Sequence, residues 1–145
     1  MEAIIFCGIQ GSGKSTFYKE QFFKTHVHIS LDLLKTRHRE SMFLQTCFAL
    51  QQPFVVDNTN ITRRERHKYI EKAKTYKSKI KGYYFPTNVT DALARNKNRT
   101  GKENIPVAGI ISTYKKLEVP ALEEGFDKLY QVSIVGGDFV ITSME

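Results

Sequence analysis

The run Gly8-Ile9-Gln10-Gly11-Ser12-Gly13-Lys14-Ser15 fits G-x-x-x-x-G-K-[ST] at every fixed position. Glycines at those places let the backbone turn tightly and aim several N–H groups into one concavity, where phosphate oxygens accept them. A helix opening at the end of the run adds its positive N-terminus. Lys14 brings a compact charge to the β- and γ-phosphates, and the Ser15 hydroxyl brings an oxygen for Mg²⁺. Extended to Thr16 on the helix, the run is the expected nucleotide-binding segment. Four fixed positions coincide by chance about once in 200 chains of this length. Here the run also follows an apolar stretch, residues 3–7, and leads into a helix-like one, residues 14–24, which is the context the motif requires.

Phosphoryl transfer needs more than a phosphate cradle. In open α/β sheets ligands sit beyond the carboxyl ends of the strands, so residues just after the second and third strands face the γ-phosphate. Ser30-Leu31-Asp32 follows the second. Asp32 is placed either to accept the proton of an incoming hydroxyl or to cap a helix. Asp57-Asn58-Thr59-Asn60 follows the third. Asp57, closing an apolar run, suits a second Mg²⁺ contact through water, and Thr59 and Asn60 suit an acceptor's phosphate or sugar. The same residues also read as a polar turn leading to a Thr62 N-cap. Arg95 and Arg99 are four apart on one predicted helix face, where they either close over phosphates or stay solvated.

The elements that must hold these groups alternate between apolar strands and longer helices, the pattern of a parallel α/β sheet. Strands are expected at 3–7, 26–30, 53–57, 81–85 and 127–135, with a hairpin at Gly136-Gly137 into 139–142. Helices are expected at 14–24, around Met42, Phe43, Leu44, Cys47 and Phe48, within 62–81, and at 90–98. Pro106 can open another, and residues 99–104 read as a mobile loop. A chain of 145 residues with 41% hydrophobic and 26% charged residues is expected to be one compact unit, residues 1–145. No apolar run is long enough to span a bilayer, and the N-terminus is not read as a signal peptide. Cys7 and Cys47 make no disulfide framework, which points to a reducing, cytoplasmic setting.

Charge is concentrated. Residues 62–81 hold nine Lys/Arg and two Glu, whereas the remainder is neutral. Such a patch attracts polyanions or forms a solvated helix face. The chain carries no Asn-Lys-x-Asp guanine selector and is short for a ring-forming ATPase, which leaves a phosphoryl-transfer enzyme as the leading reading.

In this order, GIQGSGKST, SLD, VVDNTN, ALARNKNR and IPVAGIISTYKKLEVPALEEGF resemble the 5′-hydroxyl polynucleotide kinase family, the kinase module of phage and animal end-healing enzymes. The resemblance covers nearly the whole chain. It implies a P-loop NTPase-type three-layer sandwich with a parallel central sheet and a small helical lid. It makes Asp32 the general base and gives Lys14 and Ser15 to ATP phosphates and magnesium. Arg95 and Arg99 match the lid arginines, and Thr59 and Asn60 fall where acceptor-phosphate contacts occur. The phage enzyme has an arginine three residues after its base, where this chain has Lys35, a charge without a bidentate fork. Arg37 and Arg39 are nearby substitutes.

The resemblance also turns the basic helix into a nucleic-acid face through Arg63 and Arg64, with Arg66 as a further candidate. The expected activity is ATP- and Mg²⁺-dependent transfer of the γ-phosphoryl group to a hydroxyl, the 5′-end of DNA or RNA, by a stand-alone kinase module. The alternatives are a kinase for a small hydroxyl metabolite, or a nucleotide-dependent, toxin-like nucleic-acid-binding protein with little transfer activity.

Overall fold

The computed structural model describes residues 1–97 and 105–144. Six strands form a sheet: β1 (Glu2–Cys7), β2 (Val27–Ile29), β3 (Phe54–Val56), β4 (Lys79–Tyr84), β5 (Lys128–Val135) and β6 (Asp138–Ser143). Their order is β2-β3-β1-β4-β5-β6. All neighbours pair in parallel except β5 and β6, which form the hairpin expected at Gly136-Gly137. The helices are α1 (Lys14–Gln21), α2 (Leu31–Leu34), α3 (Arg37–Leu50), α4 (Arg63–Thr75), α5 (Val89–Lys97) and α6 (Val107–Lys116).

Strand β1 shows why three layers form. Its side chains alternate between faces, and both faces are apolar. Ala3 and Ile5 join Leu44 and Phe48 of α3 and Tyr69, Ile70 and Ala73 of α4 in one core. Ile4 and Phe6 join Phe17 and Tyr18 of α1, with Phe85 and Val132, in the other. Phe17 is fully buried, its ring 5.4 Å from Phe85 and 5.1 Å from Phe139, so the first helix after the glycine loop is locked to the sheet by edge-on aromatic contacts. A third cluster, Ile9, Ala92 and Ile110, packs α5 and α6 against the loop itself.

Several boundaries differ from the pattern reading. Helix α1 ends at Gln21 because Phe22 leaves helical geometry and turns its ring to Phe6 and Tyr83. Helix α4 occupies only 63–75 of the basic stretch. Residues 79–81 belong to β4, where Ile80 is buried between Lys79 and Lys81 and an ion pair joins Lys81 to Glu2. Lysines on alternating positions masked that strand. Pro106 is the N-cap of α6, one residue ahead of the helix. The stretch 99–104, expected as a loop, lies outside the described residues.

Candidate active site

The glycine loop leaves β1 at Gly8 and enters α1 at Lys14. Gly11 and Gly13 have φ of 78° and 92°, the left-handed region that glycine alone enters freely. At Gly11 space adds a second reason, since a Cβ would lie 2.7 Å from the Ala92 carbonyl oxygen. The Lys14 ammonium lies inside the loop and donates to the carbonyls of Gly8 and Ile9, both at 2.9 Å. Gly8 N–H donates to the Thr59 carbonyl at 2.9 Å, tying the loop to the turn after β3. Arg95, on α5, donates to the Gly11 carbonyl at 3.0 Å and so lies over the loop. Gln10 donates through Nε2 to Thr113 of α6 at 3.2 Å. Ser12 is buried, while Ser15 and Thr16 are exposed on the first turn of α1.

The Ser15 hydroxyl donates to Asp57 Oδ2 at 2.9 Å, and His28 Nε2 contacts the same oxygen at 2.8 Å. The His28 ring stacks on Tyr18 at 4.0 Å, which fixes its plane. His28 escaped sequence reasoning because an alternating strand gives every second residue the same appearance. Its only signal was a polar side chain one residue before a fully buried Ile29. A hydroxyl beside a buried carboxylate is a hard-oxygen set of the kind that holds Mg²⁺ with water.

Asp32 is exposed in the first turn of α2. It is not the helix cap: Ser30 is, its hydroxyl accepting from Asp32 N–H at 3.3 Å. That leaves the Asp32 carboxylate out of the capping role the sequence allowed. Lys35 ends α2 with its Nζ folded back on the Asp32 carbonyl at 2.6 Å. Thr36 N–H donates to the Leu34 carbonyl at 2.9 Å, closing a γ-turn around Lys35, whose φ is 74°.

Two candidates for acceptor contacts face elsewhere. Asn60, expected on the acceptor shelf, is buried, and its Nδ2 donates to the Phe6 carbonyl at 2.8 Å. Arg66, the further candidate for a nucleic-acid face, is a core residue with no exposed surface. Its guanidinium forks onto Glu124 at 2.8 and 3.0 Å and donates to the Asn60 carbonyl at 2.9 Å. Asn60 therefore fastens the turn after β3 to β1, and Arg66 fastens that turn to the 3-10 turn Leu122–Glu124. Arg63 pairs with Glu123 at 2.9 Å on the surface, and with Arg64, His67 and Glu124 these residues line a depression of about 370 Å³. Arg64 is exposed, and Thr59 is half-buried. Arg99 lies outside the described residues.

The AAA domain family matches residues 35–117, more than half of the chain. The chain belongs to the AAA domain family. The match begins beyond the glycine loop. This AAA domain is also 25% identical over 137 residues to a bifunctional polynucleotide phosphatase/kinase of Schizosaccharomyces pombe, covering 90% of this chain and 33% of that protein. It thus spans about a third of the length of the curated relative it matches.

Among solved structures it is similar to Chaetomium thermophilum Kti12 in complex with ADP-AlF3, with a TM-score of 0.64 and 16% identity over 90% of this chain and 88% of that one. It is similar too to AvrRxo1-ORF1:-ORF2 with ATP, with a TM-score of 0.69 and 15% identity over 97% of this chain and 57% of that one. The molecule is a P-loop, kinase-like nucleotide-binding AAA domain.

Proposed function

We propose that this AAA domain is an ATP- and Mg²⁺-dependent kinase that transfers the γ-phosphoryl group to a hydroxyl, the 5′-OH end of DNA or RNA. The observation that carries this reading is the similarity to a polynucleotide phosphatase/kinase, 25% identical over 137 residues and covering 90% of this chain. Residues 1–145 act in it as a single kinase unit.

The residues present fit the groups the reaction needs. Lys14 already satisfies its ammonium on loop carbonyls and can turn it toward phosphate oxygens, and the loop N–H groups with the N-terminus of α1 add fixed dipoles. Magnesium, when bound, neutralises charge on the phosphates. The Ser15 hydroxyl would hold it directly and the Asp57 carboxylate through water. Asp32 takes the proton of the attacking hydroxyl, and Arg95 adds positive charge above the loop where charge develops. With acceptor oxygen, phosphorus and leaving oxygen in line, orientation supplies much of the rate.

Transfer of labelled phosphate from ATP to a 5′-OH oligonucleotide at low salt, compared with a panel of sugars and nucleosides, tests the reading. Oligonucleotide labelling is expected; labelling confined to the small compounds would refute it. A second reading, a small-molecule acceptor, is favoured by one observation. Glu123 and Glu124 pair with Arg63 and Arg66, and so withdraw two charges from the basic helix.

A further inference from the structure

Helix α2 has four residues, too few to hold its shape by its own hydrogen bonds. Its place must come from what grips its ends. At the N-terminal end, Leu31 N–H donates to Asn58 Oδ1 at 2.9 Å, satisfying a helix donor that would otherwise be orphaned. Asn58 is itself held. Its Nδ2 donates to Glu40 Oε2 at 2.8 Å, and Glu40 is buried, with 3% of its surface exposed. Such a carboxylate persists in the interior only with several donors. Glu40 Oε1 accepts from Arg37 NH1 and from the Tyr69 hydroxyl, each at 3.0 Å. Burial, followed by the Glu40 charge, pushes the Tyr69 phenol well above its usual range, so it remains a donor.

The donor and acceptor inventory leaves one orientation for the Asn58 amide. Leu31 N–H can only donate and the Glu40 carboxylate can only accept, so oxygen faces α2 and nitrogen faces α3. The far end of α2 is the γ-turn at Lys35, a backbone state retained only where surrounding structure over-determines it. The strand-end motif thus supplies more than Asp57. We propose that Glu40 and Asn58 are positioning residues: through Leu31 they set the orientation of α2 and hence of the Asp32 carboxylate toward the incoming hydroxyl. This rests on the reading of Asp32 as general base.

A donor–acceptor swap tests it, using transfer from ATP to a 5′-OH oligonucleotide. Asn58→Asp sets two carboxylates face to face. It is expected to lower kcat at least about tenfold, because small misplacements of a reacting group cost that much, with KM for ATP within about twofold. Adding Glu40→Gln restores one donor facing one acceptor, and kcat should return to within about threefold of wild type. A merely structural role would not produce recovery in kcat alone.

Asp32→Asn serves as the control. If it transfers at the full rate, the base reading falls and the relay with it. If Asp32→Asn is inert while Asn58→Asp keeps the full rate, or stays slow when paired with Glu40→Gln, the relay alone is overturned. Should Asn58→Asp not fold, Asn58→Ser decides through hydrogen exchange at the Leu31 amide: faster exchange than wild type supports the relay, and unchanged protection overturns it.

Discussion

Ser15 and Asp57, 42 residues apart in the chain, share a hydrogen bond of 2.9 Å between the start of α1 and the end of β3. The pair joins the phosphate loop to the strand-end motif through oxygen atoms alone, and His28 contacts the same carboxylate oxygen. Asp57→Asn keeps the shape and removes the charge. It is expected to raise the Mg²⁺ concentration needed for half-maximal transfer by about 10- to 100-fold, as loss of a supporting ligand contact does. A Mg²⁺ titration of initial rates checks this.

Arg66 and Arg64 separate structure from binding within one basic helix. Arg66→Ala strands the buried Glu124 carboxylate and removes a donor from the Asn60 carbonyl, so unfolding should become easier by about 3–5 kcal/mol. Arg64→Glu, at an exposed position, should change stability by no more than about 0.5 kcal/mol. Combined with Arg63→Glu, it should weaken oligonucleotide binding and flatten its salt dependence. Urea unfolding and binding at several salt concentrations read out the two effects.

The γ-turn at Lys35 predicts an unusual substitution. Its φ of 74° strains any residue with a Cβ, so Lys35→Gly should raise stability by about 1 kcal/mol, whereas Lys35→Ala should not. Thermal unfolding of the two variants side by side tests the difference.

Cys7 is buried at the end of β1, and burial pushes its thiol from about 9.0 up to about 12. The folded protein should therefore resist alkylation at Cys7 at pH 8 and react there only on unfolding. The sign of the linked pH effect follows. Above about pH 9 the unfolded chain loses this proton while the folded one keeps it, so this group's contribution to stability falls as pH rises from 9 toward 12.

Local chemistry was legible in the sequence because it is written in neighbouring residues. The glycine loop, the strand leading into it and the Gly136-Gly137 hairpin need no distant partner to be recognised. What escaped depends on partners far along the chain. Arg66 looks like one more cation of a basic helix until Glu124, 58 residues away, meets it in the core. Asn60 looks like an exposed turn residue, and its amide instead serves a β1 carbonyl. Glu40 has the sequence appearance of an ordinary first-turn acid in α3, yet it is the buried centre of a network with Arg37, Asn58 and Tyr69. Asp32 could be read in the sequence as a helix cap, and the structure gives that cap to Ser30.

In the proposed reaction Asp32 acts at the chemical step, beside a phosphate loop that binds ATP without it. Transfer rate and ATP affinity measured together for Asp32→Ala test this most directly. Phosphate transfer to the 5′-OH oligonucleotide should be lost while ATP affinity stays within about twofold of wild type. Transfer at the wild-type rate, or loss of ATP binding in parallel with transfer, would contradict it.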